Sequence, residues 1–377
     1  MKILFINEVC GHTSTGKICA DLAEKYEAEG NEVKIAYGRD GFVPEKYQKF
    51  AIRIGNDWDV KLHALYTRLT DKHGLASKTV TKKFLKWAEQ YDPDLLWLHN
   101  LHGYYINYEM LFDWIKSRPE MEVKWTLHDC WAFTGHCTHF TYVKCEKWKS
   151  ECEHCPQTKR YPSSVLIDNS KGNYDHKKNA FIGVKKMKLI TPSNWLKSLV
   201  QQSFLKVYPI DVVHNTINKS IFKPTQSDFR EKYGLENKII ILGIANVWDE
   251  RKGLGDLLKL SKSLSKNFFV VIVGLSEKQI KRIKKEYDNV ITLGKTNNQI
   301  ELAKIYSSAD YYVNPSREET FGMTNLEAIL CGTTVICYEN TACEEICNKY
   351  GGYVCKQDVN CMAELIVSLE RNKSNGK

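Results

Sequence analysis

Short β-rich runs alternate with amphipathic stretches along most of this chain, and that alternation constrains the fold more than any other feature. Residues 17–29 are predicted to form a helix, because Ile18, Leu22 and Tyr26 recur on one face before Gly30 ends it. Strands are predicted in two series, at 2–7, 33–37, 95–98, 123–127, 188–191 and 211–214, then at 238–245, 268–274, 290–293, 311–313 and 334–337. Alternation of this kind is typical of parallel sheets with helices on both faces.

The two series of strands predict two domains, and 377 residues are too many for one ordinary core. The weakest periodicity lies at 218–237, where we expect the interdomain linker. The predicted domains are therefore 1–217 and 218–377, with a final helix at 361–372 that could pack back on the first domain. The predicted fold class is α/β, with two doubly wound Rossmann-like domains that face each other across a ligand-binding cleft.

The charge of the chain is positive and unevenly distributed. The net charge is +9, and residues 151–200 carry nine Lys and Arg against four Asp and Glu, while residues 251–300 carry eleven against four. Such runs indicate solvated basic helices, contact with an anionic membrane, or a phosphorylated ligand. No nucleic-acid-binding motif accompanies the charge, so nucleic acid is not an expected partner.

The apolar stretches bear on where the protein works. The longest, such as 268–275, are far shorter than the roughly 20 residues that span a bilayer. Residues 1–7 have the pattern of a first strand and lack the apolar core and cleavage site of a signal peptide. We therefore expect a cytoplasmic protein that can reach the inner face of the cell membrane.

Thirteen cysteines, five of them between Cys130 and Cys155, argue for reduced thiols rather than a disulfide framework. Cys152 and Cys155 form a Cys-x2-Cys pair, and Cys137 and Cys145 precede it. Four thiolates can bind zinc tetrahedrally, although only one such pair is present. The two interpretations are a structural zinc site and a set of free thiols.

A turn after the strand at 311–313 carries the strongest chemical pattern. Phe321-Gly322-Met323 offers backbone N–H groups at the start of a helix, which suits a diphosphate or sugar hydroxyls. Glu327 falls about one turn into that helix, where a carboxylate can accept both hydroxyls of a ribose. Glu319 precedes the turn and is placed to meet the other end of the same ligand.

The stretch from Ala309 to Thr333 resembles the donor-site signature of family-4 glycosyltransferases, in which two glutamates with seven residues between them flank a Phe-Gly turn. The resemblance extends to residues 248–253, to 192–196 and to the loop that ends at Gly16. It implies a GT-B fold, a UDP- or GDP-sugar donor, retention of anomeric configuration, and no cofactor or metal for catalysis. The implied acceptor is a glycan or lipid-linked sugar in surface polysaccharide synthesis.

The resemblance also assigns roles to individual residues. It implies that Glu327 binds the ribose, that Glu319 binds the donor sugar, and that Lys252 neutralises the diphosphate as it leaves. Asn246 stands where the family usually has an arginine, and Arg251 is the candidate replacement. The donor-binding set predicted in this way is Gly16, Arg251, Lys252, Glu319, Phe321, Gly322, Met323, Thr324 and Glu327.

The N-terminal half adds three candidate elements. Residues 11–17 nearly match a phosphate-binding P-loop, but Ile18 replaces the required Ser or Thr. The loop more closely resembles the first turn of the transferase family. That resemblance implies that Gly16 lets a helix approach the donor phosphates. His128 ends a strand and is the predicted catalytic-site histidine, beside Glu319 and Lys252. The loop 99–103 is a candidate acceptor contact.

Two Asp-x-Asp triplets, at 57–59 and 92–94, are interpreted as structural and not as metal ligands. Two other functions remain open from the sequence. One is a GT-B-shaped epimerase or phosphorylase, although no pyridoxal-phosphate lysine motif is evident. The other is a sugar-nucleotide-binding subunit without activity.

Overall fold

The computed structural model describes residues 1–296 and 298–375, and it divides into two compact units, Met1–His214 and Asn215–Lys377. The last two residues of the predicted second domain lie outside that description. Each unit contains one parallel sheet with helices on both faces. The predicted α/β architecture with two doubly wound domains is confirmed.

The first unit contains a sheet whose strands are all parallel, in the order β3-β2-β1-β4-β5-β6-β7. Its elements are β1 (Lys2–Ile6), α1 (Thr13–Ala28), β2 (Glu32–Tyr37), β3 (Ala51–Arg53), α2 (Asp57–Thr70), α3 (Lys78–Tyr91), β4 (Leu95–Leu98), α4 (Tyr108–Lys116), β5 (Glu122–Thr126), α5 (Ser170–Phe181), β6 (Met187–Thr191), α6 (Asn194–Val200) and β7 (Ile210–Val212). The chain runs from β1 to one edge and then resumes at β4 toward the other, so the topological switch lies between β1 and β4.

The second unit repeats this plan in a six-stranded parallel sheet of order β10-β9-β8-β11-β12-β13. Its elements are α7 (Phe229–Tyr233), β8 (Ile239–Ile244), α8 (Leu254–Ser263), β9 (Phe268–Val273), α9 (Glu277–Glu286), β10 (Val290–Leu293), α10 (Gln299–Ser308), β11 (Tyr311–Asn314), α11 (Met323–Leu330), β12 (Thr334–Tyr338), α12 (Ala342–Tyr350), β13 (Tyr353–Cys355) and α13 (Val359–Asn375). Here the switch lies between β8 and β11.

Strand residues in the second unit alternate between two hydrophobic cores. Tyr311 and Val313 pack into the cluster on one face, whereas Tyr312 packs into the cluster on the other. Both faces are buried, which explains why these strands are apolar at nearly every position. The carboxyl ends of β8 and β11 are therefore fixed from both sides.

The expected linker at 218–237 is not a linker in the structure. Phe222, Phe229 and Leu235 are buried in a core cluster of the second unit, and α7 lies in the same segment. These apolar residues are spaced by polar ones, so the segment has weak periodicity although it is packed. The final helix, α13, packs against α8 of its own unit. Among the described residues, no helix is both long and apolar enough to cross a membrane.

Candidate functional site

The candidate site of the second unit lies at the switch between β8 and β11. Lys252 follows β8 and Glu319 follows β11. Because these strands are neighbours and the chain leaves them toward opposite edges, the loops after them border a crevice. Residues 67 positions apart along the chain are brought together there.

An ion pair between Lys252 and Glu319 forms the centre of this site. The Lys252 ammonium donates to both carboxylate oxygens of Glu319, at 2.7 and 2.8 Å. Arg251 adds a second cation, with its Nη1 3.8 Å from Glu319 Oε2. All three side chains are only 16–20% exposed, so water screens their charges less than at an open surface.

Main-chain contacts hold the two loops together. Gly253 has φ of +74°, and a Cβ at this position would lie 2.3 Å from the Pro315 carbonyl oxygen. The Arg317 amide donates to the Arg251 carbonyl at 2.8 Å, and the Arg251 guanidinium donates to the Glu318 carbonyl at 3.0 Å. The position of Arg251 and Lys252 relative to the β11 loop is therefore set by the backbone.

The loop after β11 ends in a tight turn that opens α11. Gly322 has φ of +88°, and a Cβ there would approach the Cys343 sulfur to 2.8 Å. Glycine is required because a residue with a side chain would be strained at this positive φ and its Cβ would clash with the Cys343 sulfur. The helix then begins at Met323, so its positive end faces the side of the unit where Arg251 and Lys252 follow their strand.

Glu327 lies within α11 and is 9% exposed. The Tyr306 hydroxyl donates to Glu327 Oε2 at 2.9 Å, and the Thr333 hydroxyl donates to the Tyr306 carbonyl at 2.6 Å. These bonds orient the carboxylate before any ligand arrives. The sequence prediction did not include Tyr306, because its position in α10 shows no pattern shared with α11.

Phe321 belongs to the turn that is predicted to offer backbone N–H groups to the donor. Its side chain is 3% exposed and packs with Leu326 and Ile346 in a small hydrophobic cluster. Only the main chain of Phe321 is therefore left to line a ligand. Met323 and Thr324, by contrast, are partly exposed at the start of α11.

One further charged contact was missed from the sequence. The Arg317 guanidinium donates to Asp256 Oδ2 at 2.7 Å, and the Tyr338 hydroxyl donates to the same oxygen at 3.1 Å. These residues come from the β11 loop, α8 and β12. They brace the loop that carries Glu318 and Glu319 against the helix that follows Gly253.

In the first unit, Gly16 is explained by packing within its own loop. A Cβ at Gly16 would lie 2.8 Å from the Val9 side chain, and the Gly11 amide donates to the Gly16 carbonyl at 3.1 Å. The glycine thus lets α1 start close against the loop after β1. Its predicted contact with donor phosphates stays a prediction.

His128 stacks on His99 after adjacent strands β5 and β4. One ring nitrogen of His99 lies 3.0 Å from Nε2 of His128, and the rings are 5.2 Å apart at 19°. Burial lowers the pKa of His128 to about 4, despite the opposing effect of Asp129. His128 is therefore a neutral hydrogen-bonding group near neutral pH.

The pKa of the neighbouring His102 is shifted in the opposite direction from that of His128. It shares a 2.8 Å contact between Nε2 and Asp129 Oδ2, and its Nδ1 lies 3.2 Å from the Tyr161 hydroxyl. Burial opposes charge on both partners, but their mutual attraction outweighs it, raising the pKa of His102 and holding that of Asp129 at about 2. The predicted acceptor loop 99–103 is thus fixed to the His128-Asp129 strand end by side-chain contacts.

All thirteen cysteines are free thiols, and each lies in the described part of the chain. Cys137, Cys145, Cys152 and Cys155 line one small cavity. The Cys137 thiol hydrogen-bonds to Cys155, and this contact lowers the pKa of Cys155 to about 7. Within residues 1–296 and 298–375, no group of three His, Cys, Asp or Glu side chains is arranged to hold a metal ion, so the zinc site stays a prediction without support from this geometry.

Both Asp-x-Asp triplets have structural contacts. Asp59 completes a capping box with Asn56 at the start of α2, and Asp57 pairs with Arg53. Asp94 accepts from the Lys2 amide at 2.7 Å, and Asp92 pairs with Arg118 at 2.8 Å. One helix cap, one strand contact and two ion pairs with arginines account for these four carboxylates.

Comparison with known proteins agrees with the fold. Residues 225–376 match the family model described as glycosyl transferases group 1. WcaC of Escherichia coli K12, named as a colanic acid biosynthesis glycosyl transferase, is 25% identical over 93% of this chain and 86% of its own length. Sucrose-phosphate synthase of Thermosynechococcus elongatus has a TM-score of 0.68 at 18% identity, covering 99% of this chain and 90% of that one. HepE of Anabaena, solved with UDP and glucose, has a TM-score of 0.65 at 16% identity, covering 99% and 91%.

The matched residues 225–376 contain Arg251, Lys252, Glu319 and Glu327. The two structural likenesses extend over nearly the whole chain and therefore include both sheets. The recognition made from the sequence is confirmed to this extent: the second unit matches the glycosyl transferases group 1 model, the relative that covers 93% of the chain is named as a glycosyl transferase, and the chain has the GT-B fold.

Proposed function

We propose that this glycosyltransferase takes its sugar from a nucleoside diphosphate sugar, UDP- or GDP-linked, that binds to the second unit. The observation that carries the proposal is the cluster of Arg251, Lys252 and Glu319 at the β8–β11 switch, with Glu327 on the following helix. Two cations beside a helix start suit a diphosphate, and two carboxylates suit hydroxyl groups at its ends. The UDP and glucose named for HepE are ligands of the same chemical class.

The diphosphate end of the donor is assigned to Lys252, Arg251 and the start of α11. Departure of the nucleoside diphosphate builds negative charge on the phosphate oxygen that leaves the sugar. Fixed cations and N–H groups at this point stabilise the transition state more than the bound substrate. Lys252 must then exchange part of its contact with Glu319 for the phosphate.

The hydroxyl groups of the donor are assigned to the two glutamates. Glu327, held by Tyr306, is proposed to accept from the ribose hydroxyls. Glu319 is proposed to accept a hydrogen bond from a hydroxyl group of the donor sugar, near the carbon that reacts. The two assignments predict different kinetic defects, which are developed in the Discussion.

For the reaction itself we propose retention of configuration without a metal ion. The bond from the anomeric carbon to the phosphate oxygen breaks, the acceptor oxygen bonds to the same face, and its proton passes to the departing phosphate. His128, neutral because burial lowers its pKa to about 4, would hydrogen-bond the sugar rather than donate a proton to it. The acceptor is proposed to be a glycan or lipid-linked sugar of surface polysaccharide, in line with the name given to WcaC. We further propose a cytoplasmic enzyme in peripheral contact with the inner face of the membrane.

A thermal-shift panel of UDP-, GDP-, ADP- and dTDP-sugars tests the donor assignment. A ligand that binds only the folded state raises the unfolding temperature in proportion to the logarithm of its concentration over Kd. We expect one base to protect the protein, and Glu327→Ala to lose most of that protection. If no nucleotide sugar protects the wild-type protein, the donor assignment is wrong.

A further inference from the structure

Helix α2 packs with its polar face inward. His63 and Thr67 are buried, and His63 lies between the Ser77 hydroxyl, 2.8 Å from Nδ1, and the Gly74 amide, which donates to Nε2 at 3.1 Å. These contacts fix the rotation of the helix about its axis. The opposite face is therefore held toward solvent.

That outward face is apolar. Trp58, Leu62, Leu65 and Leu69 follow one another at spacings of four, three and four residues, which places them on one stripe. They are 71%, 62%, 52% and 46% exposed, and Tyr66 beside them is 38% exposed. A surface helix of a soluble protein normally buries such a stripe, so its exposure calls for a partner.

A neighbouring loop extends the apolar surface. Val165 and Leu166 are each 74% exposed, and Ile167 is 48% exposed. The Val165 amide donates to the Arg68 carbonyl at 2.9 Å, which joins this loop to the last turn of α2. We call the combined surface the α2 patch: Trp58, Leu62, Leu65, Tyr66, Leu69, Val165, Leu166 and Ile167.

Cations border the α2 patch. Lys61, Arg68 and Lys72 are exposed, and the Lys61 ammonium lies 4.7 Å from the centre of the Trp58 ring. In the described part of the chain, no ion pair joins any of these three to an acidic side chain. A positive border around exposed leucines and a tryptophan complements an anionic surface with an apolar interior.

The longer basic runs lack this combination. On α9 the exposed residues are charged, while Ile280 and Ile283 face inward. In residues 151–200, Lys177 is buried and donates to two carbonyls, and Lys171 and Lys186 are paired with glutamates. The cations of these runs are solvated or internally satisfied, and the exposed apolar side chains Val165, Leu166 and Ile167 belong to the α2 patch.

We propose that the α2 patch docks on an anionic lipid bilayer, with its apolar side chains at the headgroup–acyl boundary and Lys61, Arg68 and Lys72 on lipid phosphates. Burial of the apolar side chains and attraction of the three cations to lipid phosphates then both strengthen membrane binding, as in other interfacial helices. The proposal concerns the first unit and does not depend on which donor the second unit binds.

Co-sedimentation of the full chain with vesicles tests this. We expect binding to vesicles of phosphatidylcholine and phosphatidylglycerol in equal parts, and weaker binding to phosphatidylcholine alone. Leu62→Ser with Leu65→Ser should lower the partition coefficient by about tenfold or more. Lys61→Glu, Arg68→Glu and Lys72→Glu together should lower it about a hundredfold at low salt. The matched control, Lys281→Glu, Lys284→Glu and Lys285→Glu on α9, should leave it unchanged.

Unaltered thermal unfolding and UDP binding would show that the variants are folded. Loss of vesicle binding in the α9 variant alone, or no binding by the wild-type chain, would overturn the proposal. So would a dimer in sedimentation equilibrium that Leu62→Ser with Leu65→Ser dissociates, since the patch would then join two copies. Absence of binding by both UDP- and GDP-sugars would count against the proposed donor and leave the vesicle result intact.

Discussion

The ammonium of Lys252 lies 2.7 and 2.8 Å from the two carboxylate oxygens of Glu319. The cation proposed for the diphosphate is thus already engaged by a carboxylate of the same site. Arg251 keeps the three-residue cluster at a net single positive charge. Donor binding and the state of this ion pair are therefore linked.

Glu319→Gln should separate binding from turnover. Without the carboxylate, Lys252 loses its ion pair while Arg251 keeps its bond to the Glu318 carbonyl, so the free nucleoside diphosphate, UDP or GDP, should bind as tightly as before or up to about tenfold more tightly. The sugar contact is lost in the transition state, so kcat should fall by about two to three decades. Calorimetry with UDP and steady-state kinetics measure the two effects. A clear weakening of UDP would show that Glu319 supports the nucleotide rather than the sugar.

Glu327→Ala should mainly weaken nucleotide binding. A charged hydrogen bond is worth about 1.5–3 kcal/mol, which corresponds to one to two decades in Kd. Tyr306→Phe is the matched control, because it removes only the bond that orients the carboxylate, and a loss of a few-fold is expected.

A deoxy ligand makes the assignment of Glu327 specific. Wild-type protein should bind 2′-deoxy-UDP more weakly than UDP, whereas Glu327→Ala should bind the two alike, because the hydroxyl has no partner left. Equal discrimination in both proteins would place the ribose contact on another residue.

Stability of the first unit should fall in mild acid. Burial lowers the pKa of His63 from its ordinary value of 6.5 to about 4. Between these values the unfolded chain binds more protons than the folded one, so the free energy of unfolding falls as pH falls, by up to about 3 kcal/mol for this group. His63→Gln should flatten the dependence measured by urea unfolding, while His176→Gln, at an exposed site, should not. An identical pH profile in wild type and His63→Gln would contradict the assignment.

Cys155 should be the most reactive thiol of the cysteine cluster near neutral pH. The Cys137 thiol lowers the pKa of Cys155 to about 7. Cys137→Ala should slow its alkylation about tenfold, since the smaller thiolate fraction is partly offset by higher nucleophilicity. Mass spectrometry after iodoacetamide, with the similarly exposed Cys361 as reference, measures the rate. A rate that rises only after chelation would instead show the predicted zinc.

Sugar transfer should persist in excess EDTA. Of the acidic triplets that would hold a divalent ion, one caps α2 and the other bonds the start of the central strand β1. Activity should therefore be equal with and without chelator in protein purified under the same conditions. Loss of activity that only Mn²⁺ or Mg²⁺ restores would disprove metal-independent transfer.

Several buried strands could be predicted from the sequence, because burial on both faces leaves a run of apolar residues. Strands β4 and β10 were predicted at their observed bounds, since buried parallel strands are apolar runs. The edge strands β3 and β13 were missed because three residues carry little pattern, although the equally short β7 was predicted from the run 211–214. Helix α2 was missed although Trp58, Leu62, Leu65 and Leu69 have helical spacing, and that spacing alone would have assigned to the interior a stripe that faces solvent.

The site was predictable as a set of residues but not as a set of contacts. Lys252 and Glu319 both belong to the donor-binding set predicted from the sequence, whereas the ion pair between them depends on the order of the strands. Tyr306 and Asp256 lie on helices that meet the site only after folding, and neither has a local motif. The burial of the Phe321 side chain was not predicted, because a loop motif does not state which side chains turn inward.

Gly253 gives the site a mechanical property. Because its Cα lies against the Pro315 carbonyl, a methyl group at 253 would act as a wedge between the loops that follow β8 and β11. The wedge would move two charges apart without altering either one. The distance between Lys252 and Glu319 thus depends on residue 253 having no side chain, because the two loops touch at this van der Waals contact.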